Sequence, residues 1–227
     1  MRFVRIAAVS WFAARNERLM LNADVLTFQE FVMHEPLPLS KIQEAVLEFL
    51  QGRDDAVLFG AQAVNAYVSE PRATQDVDIL STRARELSEE LCECLSEKFH
   101  IAIRVREIGE GKGFRVYQVR KEGNRHLVDL RSVSELPKTE TIENVLVLSP
   151  AELIASKVVS YHSRKGKPKS GTDWRDIAVL LLRFPDLKEH TAGILKEQNV
   201  GEAILGTWTE ISRQDFSEED EDGDLVF

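Results

Sequence analysis

LFGAQAVNAYVSEPRATQDVDIL, residues 58–80, is the stretch whose reading decides the fold. Near its end, residues 76–80 alternate acid and aliphatic, the pattern of a half-buried strand. On such a strand Asp76 and Asp78 leave the same face, their Cα atoms about 7 Å apart. Two anions that close repel one another unless a cation lies between them, and paired carboxylates are how Mg2+ is held beside a substrate phosphate. An exposed acid pair without a metal carries the same letters, so the pair alone does not choose. Sixteen residues before Asp76, the apolar run Ala56–Phe59 ends at Gly60, and a helix of small residues is expected over 61–68, stopped by Pro71. A strand–glycine–helix corner offers backbone N–H groups and the positive end of a helix to a phosphate. A plain tight turn is its other reading.

Outward from this centre, Ser40 is expected to cap a helix with Ile42, Val46, Leu47 and Leu50 at helical spacing, ending at Gly52. Ser81 and Thr82 open a charged amphipathic helix to about Lys98. Three strand-like runs follow at 101–108, 114–120 and 126–130, parted by glycine-bearing turns at 109–113 and 123–124, and Val145–Leu148 adds a fourth. From Pro150 the pattern turns helical, over 150–163, 172–184, about 187–198 and 201–212, with RKGKPKSG (164–171) as a loop. The expected class is α+β, a small mixed β-sheet flanked by helices and followed by a helical C-terminal part. Four segments are expected: an N-terminal extension 1–39, a core 40–148, a helical region 149–213 and an acidic disordered tail 214–227.

The fuller string FGAQAVNAY…PRATQDVDIL resembles the polymerase-β-like nucleotidyltransferases, in particular their minimal, AbiEii-like (abortive-infection toxin) branch. In that branch an Arg-x-Thr-x-Asp-h-Asp string follows the helix, matched by Arg72, Thr74, Asp76 and Asp78. The resemblance implies a nucleotidyltransferase fold, two Mg2+ ions (or Mn2+ in their place), and transfer of a nucleotide from an NTP such as ATP to a hydroxyl acceptor. It also implies a third carboxylate on a later strand. Asp129 in HLVDLRS (126–132) is the candidate, its other reading being a strand-end acid paired with Arg131. Gly60 and Ala61 would frame the NTP phosphates. Ala61 stands where the family carries Gly or Ser, a departure that supports an alternative reading as a catalytically lapsed binding or regulatory protein.

A second resemblance lies in the helical half. SPAELIASKVVSYHSR (149–164) and GTDWRDIAVLLLR (171–183) look like the branch's lysine-bearing helix and its Asp-x-x-Asp helix. Lys157 would meet the NTP phosphates as a compact cation. Asp173 would be the functional acid with Asp176 in support, one turn apart on one helix face and able to orient Lys157 or a nearby arginine. Favourable acids in a helix first turn are the other reading. Between them, Lys157, Arg164, Lys165, Lys167, Lys169 and Arg175 face only Asp173, so the loop either receives a polyanionic acceptor or is simply solvated. His126 and His162 stand alone and read as structural. The resemblance covers about residues 56–184, and the partners it implies are an NTP, an RNA, protein or small-molecule acceptor and an antitoxin protein.

Composition bounds these readings. The 227 residues hold 29 Lys+Arg against 38 Asp+Glu, a net charge of −9. Seven of the acids and no base fall in residues 215–227, leaving 29 against 31 over residues 1–214. A body so near neutrality does not exclude a nucleic-acid partner, as a uniformly acidic surface would. Cys92 and Cys94 are too few and too closely spaced for a disulfide scaffold, a zinc pair or a redox C-x-x-C, and read as reduced thiols of a cytoplasmic protein. No apolar run approaches the roughly 18–20 residues that span a bilayer, so no membrane partner is expected. The opening MRFVRIAAVSWFAARNE (1–17) has two early arginines, Arg2 and Arg5, and an apolar stretch broken at Ser10, without a small-residue cleavage site, so export is not expected. It reads instead as a peripheral strand or helix, or as sequence ahead of a start at Met33.

Overall fold

The computed structural model describes residues 37–217 apart from 122. Most of the expected N-terminal extension, including the export and start-site readings, and residues 218–227 of the expected tail lie outside it.

Helix α1 (Leu39–Leu50) buries Ile42, Val46, Leu47 and Leu50. It opens behind Pro38 with no side-chain cap; Ser40, expected as the cap, lies inside the helix and is buried. Pro38, at φ −59°, takes the N-cap position, so Ser40 falls at the second helical residue. Gly52, in the left-handed region at φ +72°, turns the chain out of the helix, and its N–H donates to the Asn144 carbonyl at 2.7 Å.

Strand β1 (Ala56–Phe59) is buried along its whole length, as a continuous apolar run in a central strand should be. Helix α2 (Gly60–Asn65) follows, then β2 (Val77–Ser81), α3 (Ala84–Phe99), β3 (Ile103–Ile108), β4 (Gly113–Gln118) and β5 (Arg125–Ser132). The chain continues through β6 (Thr139–Ile142), β7 (Val145–Leu148), α4 (Pro150–Ser163), α5 (Lys169–Arg183), α6 (Lys188–Glu197) and α7 (Glu202–Ser212). The seven strands form one mixed sheet in the order β3-β4-β5-β2-β1-β7-β6. Pairs β1–β7 and β2–β5 are parallel and the others antiparallel.

Three further elements, α2, β6 and α5, depart from the sequence expectation. α2 ends at Asn65 rather than 68, because the Asn65 side chain leaves the helix to bond the backbone of Arg72. β6, the polar run TETI, was not expected; it pairs only with β7 at the sheet's edge, where polar residues at 140 and 141 stay in solvent. α5 also starts three residues earlier than 172, shortening the basic loop.

α1 and α3 pack on one another, with α3 against β2–β5, while α4 gathers α5, α6, α7 and α2. Leu58, Ile79, Leu130 and Val147 of the sheet share one hydrophobic cluster with Leu153, Ile154, Ile177 and Leu180 of α4 and α5. The helical region therefore closes the core of the sheet. Among the described residues no helix is long and apolar enough to cross a membrane.

Candidate active site

Strand register builds the centre. Phe59 on β1 lies opposite Asp78 on β2, Asp78 beside Asp129 on β5, and Asp129 opposite Arg115 on β4. Register partners share a face of the sheet, so Asp78 and Asp129 are lateral neighbours. Gly60, at φ +71°, turns tightly over this pair. A Cβ on Gly60 would stand 2.1 Å from Asp78 Oδ2 and 2.9 Å from its Cβ. Glycine is required here twice, by the backbone conformation and by the carboxylate pressed on it.

Asp76 lies one residue before β2, not on the strand as expected. Its segment is fixed from two sides: Thr74 Oγ1 donates to the Asp76 carbonyl at 3.1 Å, and Gln43 Nε2 of α1 donates to the Thr74 carbonyl at 3.0 Å. The Asp76 carboxylate then meets His126 (Oδ2 to Nδ1, 3.3 Å), whose Nε2 is 3.0 Å from Asp129 Oδ1. Asp76, His126 and Asp129 each offer a ligand atom, all within 4.8 Å of one another. His126, read from sequence as structural, is thus wedged between two candidate site carboxylates. The cause is a bulge: Val116 pairs with Val128 but Tyr117 with His126, so β5 carries an extra residue that turns His126 onto the face of Asp129. Three-residue spacing on an unbulged strand would have put the two on opposite faces.

The two neighbouring aspartates differ electrostatically. Burial, with Asp76 and then Asp129 adding like charge, pushes Asp78 up to about 6 against the opposing pull of Arg131 and Lys157. Burial also works against ionised Asp129, but the close His126 imidazole and the hydrogen bonds of Arg115 outweigh it and hold this carboxyl down at about 2. The arginine that binds Asp129 is Arg115, Nε to Oδ1 at 2.8 Å and Nη2 to Oδ2 at 3.2 Å. Arg131, the partner considered from sequence, instead stacks on the Phe59 ring at 4.9 Å.

A raised acid binds its proton more tightly in the folded chain than in the unfolded one. Stability from Asp78 therefore falls as pH rises from about 4 to about 6, and the charged form opposes folding above that. Asp78→Asn is expected to stabilise the protein in EDTA by about 1–3 kcal/mol at pH 8 and to leave it unchanged at pH 4. Thermal melts at the two pH values check this; an equal shift at both would refute the buried charge as the cause.

Behind the acids lies a buried ion network. Lys157 Nζ on α4 is 2.6 Å from Asp176 Oδ2 and 3.8 Å from Asp173 Oδ1, both on α5. Arg72 grips Asp176 with both Nε and Nη2 at 2.9 Å, and Arg164 Nη1 donates to Asp173 at 2.8 Å. Asp176 is therefore the hub and Asp173 its neighbour, the reverse of the emphasis expected from sequence. Burial opposes its charge, yet Arg72 and Lys157 hold Asp176 below the usual carboxylate range. The basic loop is partly engaged too: Lys165 Nζ donates to Thr207 Oγ1 at 3.2 Å, and His162 Nδ1 meets the same hydroxyl at 2.8 Å, which agrees with a structural His162.

Sequence reasoning passed over Asn65 and Gln43. Asn65 holds Arg72 by its backbone at both ends, Nδ2 to the carbonyl at 2.8 Å and Oδ1 from the N–H at 3.1 Å. Asn65→Ala leaves both backbone groups unpaired and is expected to cost about 1–3 kcal/mol in chemical denaturation.

The model of the family "Nucleotidyl transferase AbiEii toxin, Type IV TA system" matches residues 44–223. Among solved structures, the Megavirus polyadenylate synthase is 15% identical with a TM-score of 0.55, over 69% of this chain and 34% of that one. The chain thus spans about a third of that enzyme's length. A putative nucleotidyltransferase from H. pylori is 14% identical with a TM-score of 0.51, over 83% of this chain and 96% of that one. No curated protein matches the chain. At these identities the solved structures establish a shared fold, and the family model reaches across the sheet, the carboxylates and the lysine helix together. The chain belongs to the AbiEii nucleotidyltransferase toxin family.

Proposed function

We propose that the chain transfers a nucleotide from an NTP to a hydroxyl acceptor in the cytoplasm, as the toxin of a pair with an antitoxin protein. The observations that carry the reading are the register that sets Asp78 beside Asp129 under Gly60, and the approach of Asp76 to Asp129 within 4.8 Å around His126. The acceptor oxygen bonds to the α-phosphorus, the bond from that phosphorus to the bridging oxygen breaks, pyrophosphate leaves, and the hydroxyl proton passes to water.

The donors fit a divalent cation. Asp78 carries a half-buried charge that no ion pair relieves among the described residues, and its neighbours Asp76 and Asp129 are acids. Carboxylate oxygens suit Mg2+; the nearby imidazole of His126 would favour Mn2+ over Mg2+ at a position it shared. Asp76, Asp78 and Asp129 would hold two such ions, which when bound neutralise the triphosphate and align the acceptor. Asp129, held down at about 2 by His126 and Arg115 against its burial, is ionised at neutral pH and suited to ligation. Gly60 and Ala61, at the corner over Asp78, would frame the NTP phosphates with their backbone. Lys157 and Arg72, held by Asp176, keep two cations behind the acids; Thr74 braces the Asp76 backbone and Asp173 steadies Lys157.

The test is incubation of the wild-type protein with each α-labelled NTP, Mg2+ or Mn2+, and cell RNA or lysate. Label is expected in a macromolecular or small-molecule acceptor, with pyrophosphate released and EDTA stopping both. Absence of transfer with every NTP and both metals would leave the lapsed, binding-only reading in its place.

A further inference from the structure

The sheet row that carries Asp78 and Asp129 continues outward into arginines. Arg115 lies opposite Asp129, and Arg106 on β3 lies opposite Arg115. By strand alternation Arg104 and Arg131 stand on the same face, as does Tyr117, which pairs with both Arg104 and His126. The other face holds Phe114 and Val116 beneath α3, whose Arg85 stacks over Phe114 at 5.0 Å and pairs with Glu107 at 2.6 Å. α3 therefore covers one side of β3 and β4, and among the described residues no helix packs against their arginine side. Arg104, Arg106, Arg115 and Arg131 are all exposed.

Such an arrangement carries a cost within the free protein. Like charges directly opposite on antiparallel strands repel, and Arg106 faces Arg115 with no acid of the described residues bound to it. Arginine on an edge strand such as β3 also deters pairing with other chains. That role does not account for Arg115 and Arg131, which stand on interior strands. The basic loop at 164–171 is the rival surface; its Arg164 and Lys165 are bonded to Asp173 and Thr207, as Arg115 is to Asp129, but the loop is not part of the strand row that leads to Asp78 and Asp129.

We propose that the face formed by Arg104, Arg106, Arg115, Arg131 and Tyr117 seats the phosphodiester strand of a single-stranded nucleic acid, its terminal hydroxyl directed at the Asp76, Asp78 and Asp129 cluster. The inference rests on the nucleotidyl-transfer reading and adds where the acceptor lies. Guanidinium forks match phosphate oxygens, a Tyr ring beside them stacks a base, and Arg106 stands two strand spacings, about 10 Å, from Asp129. The strand would thus run from the β3 edge across β4 to the acids.

The experiment measures binding of a fluorescent single-stranded RNA by anisotropy, using the full chain in EDTA without NTP, from about 50 to about 200 mM salt. The wild type is expected to bind with affinity falling steeply with salt. Arg104→Ala/Arg106→Ala should weaken binding about tenfold at low salt and reduce the log–log slope by about 1.4, two contacts at about 0.7 each. Arg104→Glu/Arg106→Glu should abolish binding, and Lys167→Ala/Lys169→Ala should bind like the wild type. Circular dichroism checks that each variant is folded; the substituted side chains are exposed. No wild-type binding at about 50 mM salt, an unchanged slope in the arginine variants, or loss confined to the lysine variant overturns the proposal. Because the assay involves no chemistry, Asp76→Ala/Asp78→Ala should still bind RNA. Its binding without any wild-type label transfer would sink the catalytic reading and leave the surface standing.

Discussion

Asp76→Ala/Asp78→Ala is expected to lose nucleotidyl transfer by at least about a thousandfold while remaining folded. The two side chains sit at the centre of the acid cluster, one against Gly60 and one against His126. Removing them takes away two of the three carboxylates that would place cations at the triphosphate. Such cations contribute several kcal/mol to a phosphoryl transition state, and about 4 kcal/mol corresponds to the thousandfold loss. Folding should survive because the double change also removes the burial cost and the like-charge repulsion that together push Asp78 up to about 6. The check is single-turnover label transfer beside a thermal melt. Transfer within tenfold of the wild type, with the melt intact, would place the chemistry elsewhere.

Gly60→Ala comes second, and its effect is expected to reach activity more strongly than stability. The new Cβ would lie 2.1 Å from Asp78 Oδ2 and 2.8 Å from its Cγ, so the carboxylate must move by the better part of an ångström or more. Misplacing a catalytic group by about 1 Å can cost about 10²-fold. Left-handed φ adds roughly 1–2 kcal/mol of backbone strain for any residue with a Cβ, which for a chain of this size lowers the melting temperature by about 2–8 °C. Gly206→Ala on α7 is the control: nothing lies within 4 Å of its Cβ, and it should keep full activity. Equal activity of the Gly60 and Gly206 variants would mean that Asp78 need not stand where the structure puts it.

How far these sites were legible from the letters depends on whether their geometry is local. Residues 58–80 contain an apolar run, a glycine and an acid–aliphatic alternation, and those patterns follow from periods of two and 3.6 that a single chain displays on its own. The lysine helix α4 has the expected ends because Pro150 opens it and its buried face repeats at helical spacing. The neighbours of His126 could not be read because they meet it across a bulge, and a bulge is decided by pairing with another strand rather than by the strand's own residues. The α2 end was misread for a similar reason, since Asn65 ends the helix by bonding Arg72 seven residues on. Asp129 was found as an acid, but its arginine partner was sought two residues away and stood instead on β4.

By itself the sequence determined the class of fold, the strand–glycine–helix corner, the Asp-x-Asp pair and the two C-terminal helices with their lysine and aspartates. Each is written in short-range periodicity or in a residue whose backbone freedom or charge is unusual. Only the tertiary structure decided which charges meet. It set Asp78 beside Asp129 by parallel register, made Asp176 the joint anchor of Lys157 and Arg72, and ran a row of arginines out to the sheet's edge. Coulomb interactions depend on distance in space, and residues brought together from 50 or 100 positions apart carry no mark of it in the chain.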